Sequence, residues 1–159
     1  MNINISFDNF KKKHKNKKNQ IIFYKTDCKN NNVIENIISN FLTKKNSFIF
    51  ESVEKRRIKG RYTIIGADPD KIWEFNKKKI YSIKNKKKKI IKADPYLFIK
   101  KLIENFNFPL PENLPPLCSL LVGYFSYDII RYIEKVPNKC SDDLKIPDIR
   151  LMRPKTIII

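Results

Sequence analysis

The chain has 159 residues, of which 42% are hydrophobic, so it is long enough to form one domain with its own core. Its formal net charge of +18 would ordinarily indicate binding to nucleic acid or to an anionic membrane. The lysines, however, stand in short runs among asparagine and isoleucine, and the aromatic residues lie in apolar strands and not within the basic runs, so no platform for stacking on bases is predicted. Codon bias in an AT-rich genome and a functional basic surface both explain this pattern, and we expect no specific nucleic-acid partner.

Residues that carry chemistry are sparse. Cys28, Cys118 and Cys140 are far apart, which indicates neither a disulfide framework nor a zinc site. His14 is the only histidine and lies in a lysine run, which argues against catalysis by a histidine-activated nucleophile. We therefore predict no catalytic residue, metal site or cofactor in this chain. Because no apolar run approaches the length of a membrane span, we expect a soluble, cytoplasmic protein with no membrane partner.

The first elements are predicted to be two helices with a strand between them. Ser6 is a candidate N-cap for a short first helix, and residues 20–25 have the composition of a strand. Asn30 to Asn32 form a second N-cap region. Apolar residues between Val33 and Leu42 recur at the spacing of an amphipathic helix with one broad core-facing side.

Two strands joined by a charged turn follow, over residues 47–53 and 61–66. The apolar run in the first strand is typical of a strand covered on both faces, yet it leads directly into Glu51 and Ser52. A carboxylate and a hydroxyl at the end of an apolar strand cost free energy unless they are paired. Either Glu51 forms an ion pair with Arg56, Arg57 or Arg61 while Ser52 caps a turn, or the two residues bind a ligand.

Short strands at residues 72–75, 80–83 and 89–92 predict an antiparallel meander with lysine-rich tips, in which Trp73 packs on one face. Asp94 and Pro95 are predicted to begin a helix.

The second half continues with a buried strand over residues 117–125, in which Gly123 marks a place where a side chain does not fit. Ser126 is a candidate cap for a short helix over residues 127–133. Residues 149–152 and 156–159 are predicted to be a strand pair. Because the sequence stops inside an apolar run, we expect a chain truncated at its C-terminal end.

Four motifs together resemble the N-terminal region of anthranilate synthase component I, from about Phe48 to the last residue. Their order and spacing fit that family, although each motif alone would be weakly specific. They are Phe50-Glu51-Ser52-Val53, Gly60-Arg61-Tyr62-Thr63-Ile64-Ile65-Gly66, Leu121-Val122-Gly123-Tyr124-Phe125-Ser126-Tyr127-Asp128 and Pro147-Asp148-Ile149-Arg150-Leu151-Met152-Arg153-Pro154.

The resemblance implies an α+β fold with packed antiparallel β-sheets and flanking helices. Residues 1–159 would form the N-terminal regulatory domain, without the C-terminal chorismate-binding domain. The family enzyme is a lyase that makes anthranilate and pyruvate from chorismate, using Mg²⁺ and ammonia from a glutamine amidotransferase subunit (component II). Its catalytic and metal residues belong to the missing domain, so none is assigned here.

The resemblance also implies a feedback site for L-tryptophan. Glu51 would bind the ammonium group, and Ser52 and Arg61 would hold the carboxylate. This chain departs from the family by placing Ile49 and Phe50 where two leucines are usual, which makes the lining bulkier. Three other possibilities stay open: aminodeoxychorismate synthase component I, a basic nucleic-acid-binding module, and the non-catalytic remnant of a decaying gene.

Overall fold

The computed structural model describes residues 3–27, 30–52, 62–106, 110–112, 114–137, 139 and 141–159. Within these ranges the chain has an α+β fold of two antiparallel sheets with helices, as the family resemblance implies. The α-helices are α1 (Phe7–Lys15), α2 (Asn31–Leu42) and α3 (Pro95–Phe106), with 3-10 helices at Pro116–Cys118 and Tyr127–Tyr132. The strands are β1 (Phe48–Glu51), β2 (Thr63–Ala67), β3 (Lys71–Asn76), β4 (Lys79–Lys84), β5 (Lys87–Ile91), β6 (Val122–Phe125), β7 (Ile149–Arg153) and β8 (Thr156–Ile158).

The strands form a three-stranded sheet in the order β1-β2-β8 and a five-stranded sheet in the order β5-β4-β3-β7-β6. The meander β3-β4-β5 is confirmed. The predicted pairing of the last two strands with each other is wrong. β7 pairs with β3 and β6 in the larger sheet, whereas β8 pairs with β2 in the smaller one.

The two sheets are connected by a pair of strand crossings that carry a β-bulge. Three residues separate Ala67 from Lys71 on one crossing, but only two separate Arg153 from Thr156 on the other. One residue is therefore extra, and Asp68 at this point has a φ of 52°. Both crossing segments change direction at this bulge. Consequently β3 and β7 pair in the larger sheet, whereas β2 and β8 pair in the smaller one.

The larger sheet packs on both of its faces. One face and α3 share a core whose buried members are Trp73, Phe75, Ile80, Leu102, Ile149 and Leu151. On the opposite face, Val122 packs against Phe48 and Ile64 of the smaller sheet. The strands of the larger sheet therefore lie between α3 and the smaller sheet, whereas α2 contacts β1 and β2 of the smaller sheet. The prediction for Trp73 is confirmed.

Three predicted helix caps are confirmed and one is not. Ser6 Oγ accepts a hydrogen bond from the Asn9 amide, Asn30 Oδ1 accepts from Asn32, and Asp94 Oδ1 accepts from Leu97. Ser126 precedes a 3-10 helix, but its hydroxyl makes no capping hydrogen bond and is buried without a partner among the described residues.

The strand predicted over residues 20–25 does not form. The Asn4 side chain takes the place of a strand partner, because its Oδ1 accepts from the Phe23 amide at 2.9 Å and its Nδ2 donates to the Ile21 carbonyl at 3.1 Å. The long buried strand predicted over residues 117–125 is also wrong. The strand forms only from Val122, because Pro116–Cys118 is a 3-10 helix in which the Cys118 amide donates to the Pro115 carbonyl.

The apolar residues of α2 and β1 are less buried than predicted. In α2, Val33 and Ile34 are exposed and no described side chain is fully buried. In β1, only Phe48 is buried, while Phe50 is 49% exposed. Within the described residues, no helix is both long and apolar enough to cross a membrane.

Candidate functional site

β1 is an edge strand whose first residues are fixed by aromatic packing. The Phe48 ring lies over Gly66 on β2, where an added Cβ would be only 2.2 Å from Phe48 Cε1. The Phe50 ring contacts Phe48 at a centroid distance of 5.1 Å. Gly66 thus leaves room on β2 for the Phe48 ring, which lies across the strand pair from it.

Glu51 and Ser52 lie at the exposed end of this strand. The Ser52 amide donates to the Tyr62 carbonyl at 3.3 Å, so the ladder with β2 continues one residue beyond Glu51. Antiparallel ladders alternate, and the backbone N–H and C=O of Glu51 therefore face the open edge. Side chains also alternate along a strand, which places Glu51 and Ser52 on opposite faces of the sheet, with Ser52 on the same face as Phe50.

No hydrogen bond or ion pair joins the Glu51 or Ser52 side chain to another described residue. Arg61, like Arg56, Arg57 and the predicted turn at residues 54–59, lies outside the described residues. The structure therefore places Glu51 and Ser52 next to each other at one exposed strand end, with their side chains on opposite faces, and Arg61 is outside the described residues.

A second carboxylate, Glu74 on β3, is in the opposite situation. Its side chain is only 10% exposed and is paired with Arg150 of β7 and, at 2.8 Å, with Lys88 of β5. Arg150 also donates to Asn46 Oδ1 at 2.8 Å, just before β1 begins. This cluster ties the start of β1 to the larger sheet. Sequence reasoning missed it, although Glu74 in the middle of an apolar strand was a visible signal.

Asp148 organises the tip of the β3–β4 hairpin. Its Oδ2 accepts from the Lys77 amide and from the Tyr132 hydroxyl, both at 2.8 Å, and that hydroxyl accepts from the Lys78 amide at 3.0 Å. Lys77 and Lys78 have φ values of 48° and 65°, a backbone conformation that lysine rarely adopts. Burial raises the pKa of Tyr132 to about 12, and the hydrogen bond to Asp148 adds to this.

Arg153 secures the bulge between the sheets. Its guanidinium binds the Asp70 carboxylate through two hydrogen bonds, one of them 2.6 Å long, and its carbonyl accepts from the Asp70 amide at 3.2 Å. The side-chain hydrogen bond to Asp70 raises the pKa of Arg153 above its ordinary value. All three polar residues of β7 and its approach, Asp148, Arg150 and Arg153, are thus engaged in holding the fold.

The described residues offer no obvious reactive or metal centre. Among these residues, no group of three or more His, Cys, Asp or Glu side chains is placed to hold a metal ion. Burial raises the pKa of the Cys118 thiol, which disfavours the reactive thiolate. Cys28 and Cys140 lie outside the described residues.

The fold and the site define an α+β domain of two antiparallel sheets with an exposed polar pair at the end of an edge strand. No family model matches the chain. Its sequence is 29% identical to anthranilate synthase component I of Cereibacter sphaeroides over 97% of the chain and 32% of that protein. It is 37% identical to the component I of Acinetobacter calcoaceticus over 71% of the chain and 24% of that protein, and 33% identical to that of Acetivibrio thermocellus over 70% and 23%.

The chain is therefore a relative of anthranilate synthase component I, which confirms the resemblance carried by the four motifs. It spans between about a quarter and a third of the length of these relatives.

Proposed function

We propose that this chain is the N-terminal regulatory part of an anthranilate synthase component I and that it supplies half of a site for L-tryptophan. The similarity over 97% of the chain supports the assignment to component I. The observation that carries the ligand site is the exposure of Glu51 and Ser52, without a partner among the described residues, at the end of an edge strand.

The chemistry of this strand end suits a free amino acid. The Glu51 carboxylate would accept hydrogen bonds from the ammonium group. The Ser52 hydroxyl would donate to the carboxylate, with Arg61 close in sequence, since charge-assisted hydrogen bonds are the strong ones. The Ser52 amide already donates a hydrogen bond to the Tyr62 carbonyl. The outward-facing Glu51 amide is therefore the backbone donor that remains for the carboxylate of the bound amino acid. The half-exposed Phe50 ring would cover part of the indole.

In this proposal the reaction itself takes place elsewhere. Conversion of chorismate to anthranilate and pyruvate, the Mg²⁺ ion, and the ammonia delivered by a glutamine amidotransferase subunit would all belong to the remainder of a component I protein and its partner. Tryptophan bound between the two parts would favour one arrangement over another, and inhibition would reach the distant active site in this way.

The test uses a full-length component I that carries this N-terminal sequence, with Ser52→Phe as the variant. Loss of one hydrogen bond to a charged group costs about 1.5–3 kcal/mol, so tryptophan should inhibit about ten- to hundredfold less well, before any steric effect. Anthranilate formation without tryptophan should be unchanged. Equal inhibition of parent and variant would make Ser52 a turn cap only. Formation of aminodeoxychorismate in place of anthranilate would assign the chain to the sister enzyme.

A further inference from the structure

The two outer strands of the five-stranded sheet differ in charge. β5 carries three consecutive lysines, Lys87 to Lys89, all exposed, and charged residues of this kind keep a sheet edge from pairing with another chain. β6 has the sequence Val-Gly-Tyr-Phe and carries no charge. One edge of this sheet is therefore protected and the other is not.

The backbone of β6 has hydrogen-bonding groups available at this edge. The Ser126 amide donates to the Asp148 carbonyl at 2.8 Å, in register with the pairing of Tyr124 and Arg150. Because the ladder alternates, the N–H and C=O groups of Gly123 and Phe125 face away from β7. Both residues are exposed, and among the described residues β6 has β7 as its only strand neighbour.

Exposed aromatic side chains surround the same edge. Tyr124 is 38% exposed, Phe125 is 51% exposed and Tyr127 is 94% exposed. An apolar, uncharged edge with exposed aromatic rings is the kind of surface to which a further strand is added, since backbone hydrogen bonds supply affinity and the side chains supply specificity.

We propose that β6 is the docking edge for a β-strand contributed by the rest of a component I protein, so that the sheet continues across the boundary of this chain. This inference rests on the proposed function. The relatives are about three times as long as the chain, so most of a component I polypeptide has no counterpart in it. A second copy of this chain is a poorer occupant, because two molecules of charge +18 repel each other.

The experiment mixes this chain with the part of Cereibacter sphaeroides component I that follows the matched region. Phe125→Pro removes the outward-facing N–H and puts the proline ring where a docking strand would pair. The ladder to β7 should stay intact, because proline is tolerated on edge strands. Phe125→Ala is the matched control, since it removes the same ring and keeps the N–H. Thermal unfolding of both variants checks that each is folded.

We expect the added fragment to slow hydrogen exchange of the Phe125 amide by about a hundredfold or more. We expect Phe125→Pro to bind at least about tenfold more weakly than Phe125→Ala. Equal binding of the two variants, an unprotected Phe125 amide in the complex, or no binding at all would overturn the proposal, as would protection by self-association of the chain alone.

Anthranilate formation by the mixture separates this inference from the proposed function. If the mixture makes anthranilate equally well with Phe125→Pro and Phe125→Ala, the docking edge is wrong and the proposed function stands. If the Phe125 amide becomes protected while no anthranilate forms from chorismate, ammonia and Mg²⁺, the edge pairs as proposed and the proposed function fails.

Discussion

Polar residues have opposite surroundings at the end of β1 and along β7. In and beside β7, each polar residue has a specific partner. Asp148 binds the turn at Lys77, Arg150 forms an ion pair with Glu74, and Arg153 binds Asp70 at the bulge. At the end of β1, Glu51 and Ser52 are exposed and have no such partner among the described residues. Both regions belong to the motifs of the family resemblance. The comparison separates residues that hold the fold from residues that are available to a ligand.

The largest effect should come from Gly123, which lies on β6 beside β7. An added Cβ would be 1.8 Å from the Arg150 carbonyl oxygen, and backbone atoms cannot move aside as a side chain can. Gly123→Ala should therefore lower the free energy of unfolding by about 3 kcal/mol or more. Gly66→Ala is the control, because its Cβ would meet the Phe48 ring, which can rotate, at a cost of about 1–2 kcal/mol. Urea unfolding followed by Trp73 fluorescence measures both. Equal losses would contradict the account.

The paired carboxylate and the exposed one should respond differently to the same substitution. Glu74→Gln leaves Arg150 and Lys88 without their counter-charge, and we expect a loss of about 1–3 kcal/mol, moderated because both cations can reach water. Glu51→Gln should change the free energy of unfolding by no more than about 0.5 kcal/mol. Chemical denaturation of the two variants side by side is the measurement. A similar loss at Glu51 would mean that this carboxylate also holds the fold.

A smaller effect is expected from Tyr132 at alkaline pH. The unfolded chain releases this proton near pH 10, whereas the folded chain holds it to about pH 12. The stabilisation is therefore complete below pH 10 and is lost as the pH rises through 12. Because the side chain is only half-buried, screening limits the amount to about 1 kcal/mol. Tyr132→Phe should remove this part of the alkaline decline in the free energy of unfolding. If the difference in free energy of unfolding between parent and variant is the same at every pH from 9 to 12, the prediction is wrong.

Much of the fold could be predicted because its patterns are local. The apolar periodicity of α2 and α3, the caps at Ser6 and Asp94, and the lysine-rich turns of the meander each depend on neighbours in sequence. The assignment of β7 and β8 to different sheets could not be predicted, because it depends on a bulge formed by two crossings that are far apart in sequence. The Asn4 side chain likewise replaced a strand partner for residues 21–23, which no period in the sequence reveals.

The candidate site was predicted less completely than the fold. The pattern identified Glu51 and Ser52 because an apolar strand ends in two polar residues, and the structure places both at an open edge. Their alternation to opposite faces became visible only with the register of β1 and β2. The partners of Glu74 lie 14 and 76 residues away, so no local pattern distinguished it from Glu51.

The most direct test of this difference is a tryptophan titration of anthranilate formation by a full-length component I that begins with this sequence, comparing Glu51→Gln with the parent. We predict that the inhibitory concentration of tryptophan rises about ten- to hundredfold, while the uninhibited rate and the free energy of unfolding stay the same. Unchanged inhibition, or weaker inhibition together with a loss of stability, would show that Glu51 serves the fold and not the ligand.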